Sequence, residues 1–231
     1  MENLFIRTKG LLGEEHFDRI KDAKICIVGL GGVGGTAFEA LVRSGINNFL
    51  VIDFDEVNES NLNRQILYTI NDIGKYKVEI AKKRAIEINN DAKIEVINRN
   101  INEIDFALIK QFNPDYIVDA IDNVNGKILL AEFANKENIP FIMSLGMANR
   151  VDPTKVKVDR LDKTTTDPLA RKIRYEIKKK GLSTKDIKVV WSIENPIKSA
   201  IIIIMFIIDG GFMKKGFDNE LYVKSQIKTI K

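Results

Sequence analysis

The feature that most constrains the fold is one short run, "AKICIVGLGGVGG" (23–35). Its first seven residues form an apolar stretch of strand length, which reads as a strand buried on both faces of a parallel sheet. Gly29, Gly31 and Gly34 follow with G-x-G-x-x-G spacing, and Gly32 lies between them. Behind them "TAFEALVRSG" (36–45) takes up helical spacing and stops at Gly45. Glycines at such a junction allow a tight turn and let a phosphate approach the helix N-terminus. The next strand, "NNFLVID" (47–53), ends on Asp53, an acid placed to hydrogen-bond ribose hydroxyls. A nucleotide site is the sharper reading of this context. The plainer one is that the glycines serve only close strand–helix packing.

The remaining pattern alternates. It predicts a helix over 74–89, a strand over 93–98, a helix over 103–112 and a strand over 114–122. A helix over 125–138 and a strand over 140–145 complete the set. Strands alternating with helices give an α/β fold, a doubly wound, mostly parallel Rossmann-like sheet. An amphipathic helix over 10–22, resting on Leu12, Phe17 and Ile20, precedes it. After about 146 come a short strand, a Thr-rich loop, a basic helix and a strand over 186–194 holding Trp191 in the core. On the basic helix Leu169, Ile173 and Ile177 form an apolar stripe at i, i+4 and i+8. The expected organisation is one domain over 1–199, with a nucleotide-binding core at 23–145 and a substrate-side extension at 146–199. An atypical segment fills 200–231. A chain of 231 residues, 45% hydrophobic, is ample for one such domain.

The one cysteine, Cys26, lies inside the first strand. It cannot form an internal disulfide or a Cys-pair zinc site, so no zinc is expected, and it suits a reducing cytoplasm. The N-terminus has no signal-peptide pattern. The longest apolar run, "AIIIIMFII" (200–208), is half of the roughly 20 residues a membrane span needs. A soluble, cytoplasmic protein without a transmembrane segment is expected. His16, the only histidine, is placed on the solvent side of its helix. The net charge of +4 is uneven: residues 1–150 hold 18 Lys/Arg against 22 Asp/Glu, and residues 151–231 hold 18 against 10. A basic C-terminal third points to a polyanion such as nucleic acid, or simply to a lysine-rich end. On the basic helix Arg171, Lys172, Arg174, Lys178, Lys179 and Lys180 lie mostly off the apolar stripe. They form either a solvated face or a contact for a phosphate backbone.

The stretch "VIDFDEVNESNLNRQ" (51–65) asks for more than a dinucleotide. Backbone amides largely suffice for two phosphates. Reaction at the α-phosphate of a triphosphate builds further negative charge, which calls for cations and for a carboxylate to hold magnesium. Arg64, Lys77 in "GKYKVE" and Asp122, closing the fourth strand in "DAIDN", are the candidates. Each alone could be a solvated charge. Together, behind the glycine turn, they favour ATP over NAD.

In this order and spacing, "GLGGVG", "DFDEVNESNLNRQ", "GKYKVE" and "DAIDN" resemble the adenylating superfamily of ubiquitin-activating-type enzymes, which includes the molybdopterin- and thiamine-pathway adenylases. The resemblance implies that Asp53 binds ribose and that Asn61, Arg64 and Lys77 cradle the triphosphate, with Asp55 and Gln65 in the same ATP site. It implies Asp122 as the magnesium ligand. Arg7 matches an N-terminal arginine passed across a homodimer interface to the partner's ATP. The later segments "SLGMANRVDPTKVKV", "DKTTTDPLARKIRYEIKKKG" and "KVVWSIENPIKS" are similar to the tRNA threonylcarbamoyladenosine dehydratase branch, so the resemblance covers 5–199. It implies ATP-dependent cyclisation of the threonylcarbamoyl group on a tRNA adenosine, through an acyl-adenylate and without an enzyme nucleophile. The basic helix would then contact tRNA.

After Ser199 the chain departs from the branch. A Gly-Ser segment, a Phe-Val-Pro strand and a closing apolar helix are expected, and "AIIIIMFIIDGGFMKKGFDNE" stands there instead. Substrate closure and dimer packing are the properties this puts at issue. Two other readings use the same core. One is adenylation of a ubiquitin-like sulfur-carrier protein, with sulfur-shuttle partners; the other is a non-catalytic ATP- or tRNA-binding protein. A nicotinamide dehydrogenase comes last, since nothing after the glycine turn supplies hydride-transfer chemistry.

Overall fold

The computed structural model describes residues 4–101 and 106–196. The tail with its apolar run at 200–208, and the first residues of the helix expected over 103–112, lie outside the described residues. Seven strands form one sheet: β1 (Lys24–Val28), β2 (Asn48–Ile52), β3 (Lys93–Ile97), β4 (Tyr116–Asp119), β5 (Phe141–Ser144), β6 (Val156–Arg160) and β7 (Lys188–Ser192). Their order is β3-β2-β1-β4-β5-β7-β6, parallel throughout except that β6 pairs antiparallel with β7. The chain winds outward from β1 to β3, then restarts at β4 on the other side of β1. The crevice at the C-terminal ends of β1 and β4 is therefore the topological switch point, where ligands of such sheets bind.

Pleating explains why β1 reads as an unbroken apolar run. Ile25 and Ile27 face one core with Phe38, Phe49 and Val51, while Cys26 and Val28 face another with Leu50, Ile117 and Met143. Helices α3 (Gly32–Arg43) and α4 (Lys77–Ile88) cover the first face. Helices α5 (Phe106–Phe112), α6 (Val124–Lys136) and α7 (Pro168–Lys179) cover the second. Phe38 of α3 meets Phe49 of β2 edge to face, 5.1 Å between ring centres, and both are fully buried. Burying a side chain of that size contributes about 1.5–3 kcal/mol.

Several boundaries differ from the sequence reading, each for a physical reason. The N-terminal helix expected over 10–22 is two helices, α1 (Ile6–Leu12) and α2 (Glu14–Asp22), broken at Gly13 with φ of 79°. The break turns Leu12 outward, so of its expected contacts only Phe17 is fully buried and Ile20 packs in part. Helix α3 starts at Gly32, four residues early, because the glycines enter its first turn. A Cβ on Gly34 would run into the Gly29 carbonyl and the Ala120 side chain, so close packing outweighs glycine's low helix propensity. Strand β4 ends at Asp119, so Asp122 lies in the loop beyond the strand rather than closing it. Helix α7 follows expectation: Asp167 caps its N-terminus through the Ala170 amide at 3.0 Å, and Ile173 and Ile177 are buried. Trp191 is in the core.

Candidate functional site

The glycine turn is held from below by Asp53. The Leu30 amide donates to Asp53 Oδ2 at 2.6 Å, and the Asp55 amide donates to Asp53 Oδ1 at 2.9 Å. Burial pushes the Asp53 carboxyl up, against these amides and Lys77, which pull it down. Gly29 takes a φ of 92°, and a Cβ there would lie 2.7 Å from the Ala120 carbonyl oxygen. The loop after β4 thus presses directly on the turn, and only glycine fits between them. Tyr68, whose phenol burial pushes up, donates to the Leu30 carbonyl at 2.9 Å and closes the other side.

The stretch singled out by its polar residues folds back over this turn. Asn58 and Asn61 cap a short helical turn reciprocally: Asn58 Oδ1 accepts from the Ser60 amide and Asn61 Oδ1 from the Asn58 amide, each at 3.0 Å. That turn sets the direction of Arg64 and Gln65. The Arg64 carbonyl oxygen lies 3.3 Å from where a Cβ on Gly32 would stand, and Gln65 Nε2 lies 3.9 Å from the same point on Gly31. Gln65 is buried, and its Oε1 has no hydrogen-bond partner among the described residues. The Arg64 guanidinium donates to the Ser60 carbonyl at 2.6 Å and to Asn63 Oδ1 at 2.9 Å.

Lys77 is the first residue of α4, only 4% exposed, and its Nζ pairs with Asp55 Oδ2 at 2.6 Å. Asp122 is exposed on the loop after β4. Among the described residues no group of three or more His, Cys, Asp or Glu converges as a metal cage. A lone carboxylate matches magnesium that keeps water and phosphate oxygens as its other ligands, and does not match a cation held by protein alone. Gly29, Gly31, Gly32, Gly34, Asp53, Asp55, Asn61, Arg64, Gln65 and Lys77 therefore gather around one turn. Asp122 stands on the adjoining loop.

Arg7 is not in this group. Its neighbour Phe5 packs with Phe17 against Gly45, just past the C-terminal end of α3. A helix of 12 residues separates that point from the glycine turn by about 18 Å. On α7, Arg171, Lys172, Lys178 and Lys179 are exposed. Arg174 instead donates to the Thr164 carbonyl at 2.7 Å and to the Thr164 hydroxyl, holding the Thr-rich loop. Lys180 pairs with Glu132 of α6 at 2.8 Å. Sequence reasoning missed Tyr175, 65% exposed and set between Arg171 and Lys179 at helical i, i+4, i+8 spacing. It also missed a fully buried ion pair, Lys127 with Asp119 at 2.9 Å. A signal existed: Lys127 sits within the buried stripe Ile128, Leu130, Ala131 and Ala134 of α6, where a solvated lysine does not belong.

Known proteins share this layout. The ThiF family model matches residues 6–175. A tRNA threonylcarbamoyladenosine dehydratase of Bacillus subtilis is 34% identical over 197 residues, 85% of this chain and 77% of that protein. The tRNA threonylcarbamoyladenosine dehydratase 2 of Saccharomyces cerevisiae is 39% identical over 187 residues, and the match spans 80% of this chain but 42% of that protein. The crystal structure of Escherichia coli tRNA N6-threonylcarbamoyladenosine dehydratase in complex with ATP has a TM-score of 0.80 at 34% identity, covering 85% of this chain and 84% of that one. The likeness runs through the glycine turn and on past the nucleotide core, and the chain belongs to the ThiF family, on the branch whose named members are tRNA threonylcarbamoyladenosine dehydratases.

Proposed function

We propose that this chain uses ATP to dehydrate threonylcarbamoyladenosine in tRNA, closing the threonylcarbamoyl group into a ring. The observation that carries the reading is the Asn61–Gln65 wall folded over the glycine turn, with Lys77 beside it. It adds cationic side chains to a site whose amides alone would serve a dinucleotide.

In this reading the ATP phosphates meet the N-terminus of α3, and Asp53 takes the ribose hydroxyls. Asn61, Arg64 and Lys77 surround the triphosphate, Lys77 turning from Asp55 toward it. The substrate carboxylate attacks the α-phosphorus, the bond to pyrophosphate breaks, and an acyl-adenylate forms. A nucleophile within the substrate then attacks the acyl carbon and loses its proton, and AMP leaves with the former carboxylate oxygen. The elements of water are lost from the nucleoside, and ATP ends as AMP and pyrophosphate. Arg64 and Lys77 act mainly on the charge that grows on the phosphates during the first step. Magnesium, when bound, neutralises part of that charge, and Asp122 is the proposed carboxylate for it. Cys26 has no role as nucleophile, since it lies fully buried in the central strand with its thiol pushed up by burial.

The protein acts as a homodimer in this reading. Arg7 follows Phe5, which packs near the end of α3 far from its own glycine turn, and that distance supports a role at a partner's site. Ile6, Leu11 and Leu12 leave α1 with an exposed apolar face that a second copy would cover. The exposed cations of α7 contact the tRNA backbone. A cytoplasmic setting, where tRNA is at hand and a lone thiol stays reduced, completes the proposal.

The test uses purified protein, magnesium, ATP and tRNA bearing linear threonylcarbamoyladenosine, with the nucleoside weighed after mild neutral digestion. ATP-dependent loss of one water is expected. Pyrophosphate exchange driven by a carrier protein ending in Gly-Gly, without that mass change, would move the assignment to carrier adenylation with sulfur-shuttle partners. ATP binding without turnover of either substrate would make the chain a non-catalytic binder.

A further inference from the structure

Lys127 and Asp119 are both fully buried, and Asp119 stands beside Val28 in the sheet, where β1 runs into the glycine turn. Lys127 Nζ donates to Asp119 Oδ1 at 2.9 Å and to the Ser144 carbonyl, at the end of β5, at 2.7 Å. The same Oδ1 accepts the Ile121 amide at 3.0 Å, so the loop leaving β4 hangs from it. Asp119 Oδ2 has no hydrogen-bond partner among the described residues. Two residues past Ile121, Asn123 Oδ1 accepts the Gly126 amide at 2.9 Å and caps α6. Asp122 is the one residue between these two anchors, and its side chain is exposed.

A buried ion pair with an unsatisfied oxygen is a poor device for stability alone. Apolar residues of similar volume commonly serve as well or better. The pair does fix geometry: it ties the ends of β4 and β5 together and sets the path of a loop that also presses on Gly29. We propose that Lys127 and Asp119 are positioning residues, which hold Asp122 at the angle and depth needed to meet a magnesium ion on the ATP phosphates. The inference rests on the reading of Asp122 as the magnesium carboxylate. Lys127 itself contributes no net charge to the phosphates, because Asp119 neutralises it.

The experiment measures, by titration calorimetry, the affinity of the full chain for a non-hydrolysable ATP analogue with and without magnesium. Wild type is expected to bind more tightly with the metal. Asp122→Asn is expected to lose that gain. Lys127→Met, and the double replacement Asp119→Leu with Lys127→Met, are expected to keep the metal-free affinity within about twofold and to lose about tenfold or more of the gain, the usual scale for residues that orient a metal ligand. The double variant removes both buried charges, so it remains informative if Lys127→Met alone fails to fold. A merely structural role would lower stability or metal-free affinity and leave the magnesium gain intact. Retention of the gain in a folded double variant, with its loss in Asp122→Asn, overturns the positioning role and leaves Asp122 in place. Retention in all the variants overturns both.

Discussion

Arg64 and Lys77 differ in how they are held, and the difference predicts different failures. Arg64 is half-buried, and among the described residues its guanidinium bonds within its own turn, to Ser60 and Asn63. Arg64→Ala should lower turnover by about 10²–10³-fold, the usual cost of removing one preorganised charge donor, with little change in melting temperature. Steady-state kinetics beside a thermal melt checks both halves. Lys77 is buried and paired with Asp55, yet Asp55 stays half exposed and can be rehydrated. Lys77→Ala should therefore also cost far more activity than stability. Retained pyrophosphate release in either variant would contradict the triphosphate cradle. Both residues were singled out in the sequence by type, order and spacing, and the role proposed for them is what these two variants test. The Lys127–Asp119 pair was not singled out: it joins residues eight apart whose meeting depends on where β4 ends, and the strand reading ran three residues too long.

Helices α3 and α4 are joined across their outer surfaces by Glu39, which accepts from Arg84 at 3.1 Å and from Arg43 at 2.6 and 2.8 Å. Burial pushes the Glu39 carboxyl up, but its arginine partners outweigh that and leave it below the usual carboxylate range. Its folded pKa is depressed, so it contributes stability above the unfolded value that is lost as pH falls through the folded one. Arg84→Ala should flatten the acid limb of a denaturant-midpoint-versus-pH profile, and an unchanged slope would refute the link. Helix α7 carries a separate prediction. Reversing Lys178 and Lys179 to Glu should weaken tRNA binding and reduce the slope of log affinity on log salt by about 2, roughly one for each phosphate that a lysine no longer neutralises. Arg174→Ala should instead loosen the Thr-rich loop, because its guanidinium already serves Thr164. The periodicity of α7 was readable in advance; that Arg174 and Lys180 are engaged was not, since their partners Thr164 and Glu132 lie outside the helix.

At the scale of the whole molecule, the mostly parallel sheet follows from the alternation of strands and helices, and the switch point follows from the strand order. What the sequence could not place was the N-terminal segment. Gly13 breaks one expected helix into two and turns the Leu12 face outward, a local backbone choice that periodicity does not register. The proposed dimer makes a direct test of Arg7 possible. Arg7→Ala and Arg64→Ala should each retain about 1% of wild-type turnover or less when assayed alone. Equal amounts mixed after co-refolding should recover about a quarter of wild-type activity, because half the dimers are mixed and each holds one intact composite site. No recovery in verified mixed dimers would mean that Arg7 serves no partner.

Cys26 sits with no exposure in β1, between β2 and β4, and no other thiol occurs in the chain. A thiol reagent can reach it only when the centre of the sheet opens, so its labelling rate under native conditions is a gauge of how often the whole domain breathes. Because the ligand crevice lies at the end of that same strand, nucleotide should slow the clock by mass action, by about a hundredfold at a nucleotide concentration a hundred times its dissociation constant. The protein thus carries its own built-in reporter of occupancy, one that reads binding without turnover or an attached dye.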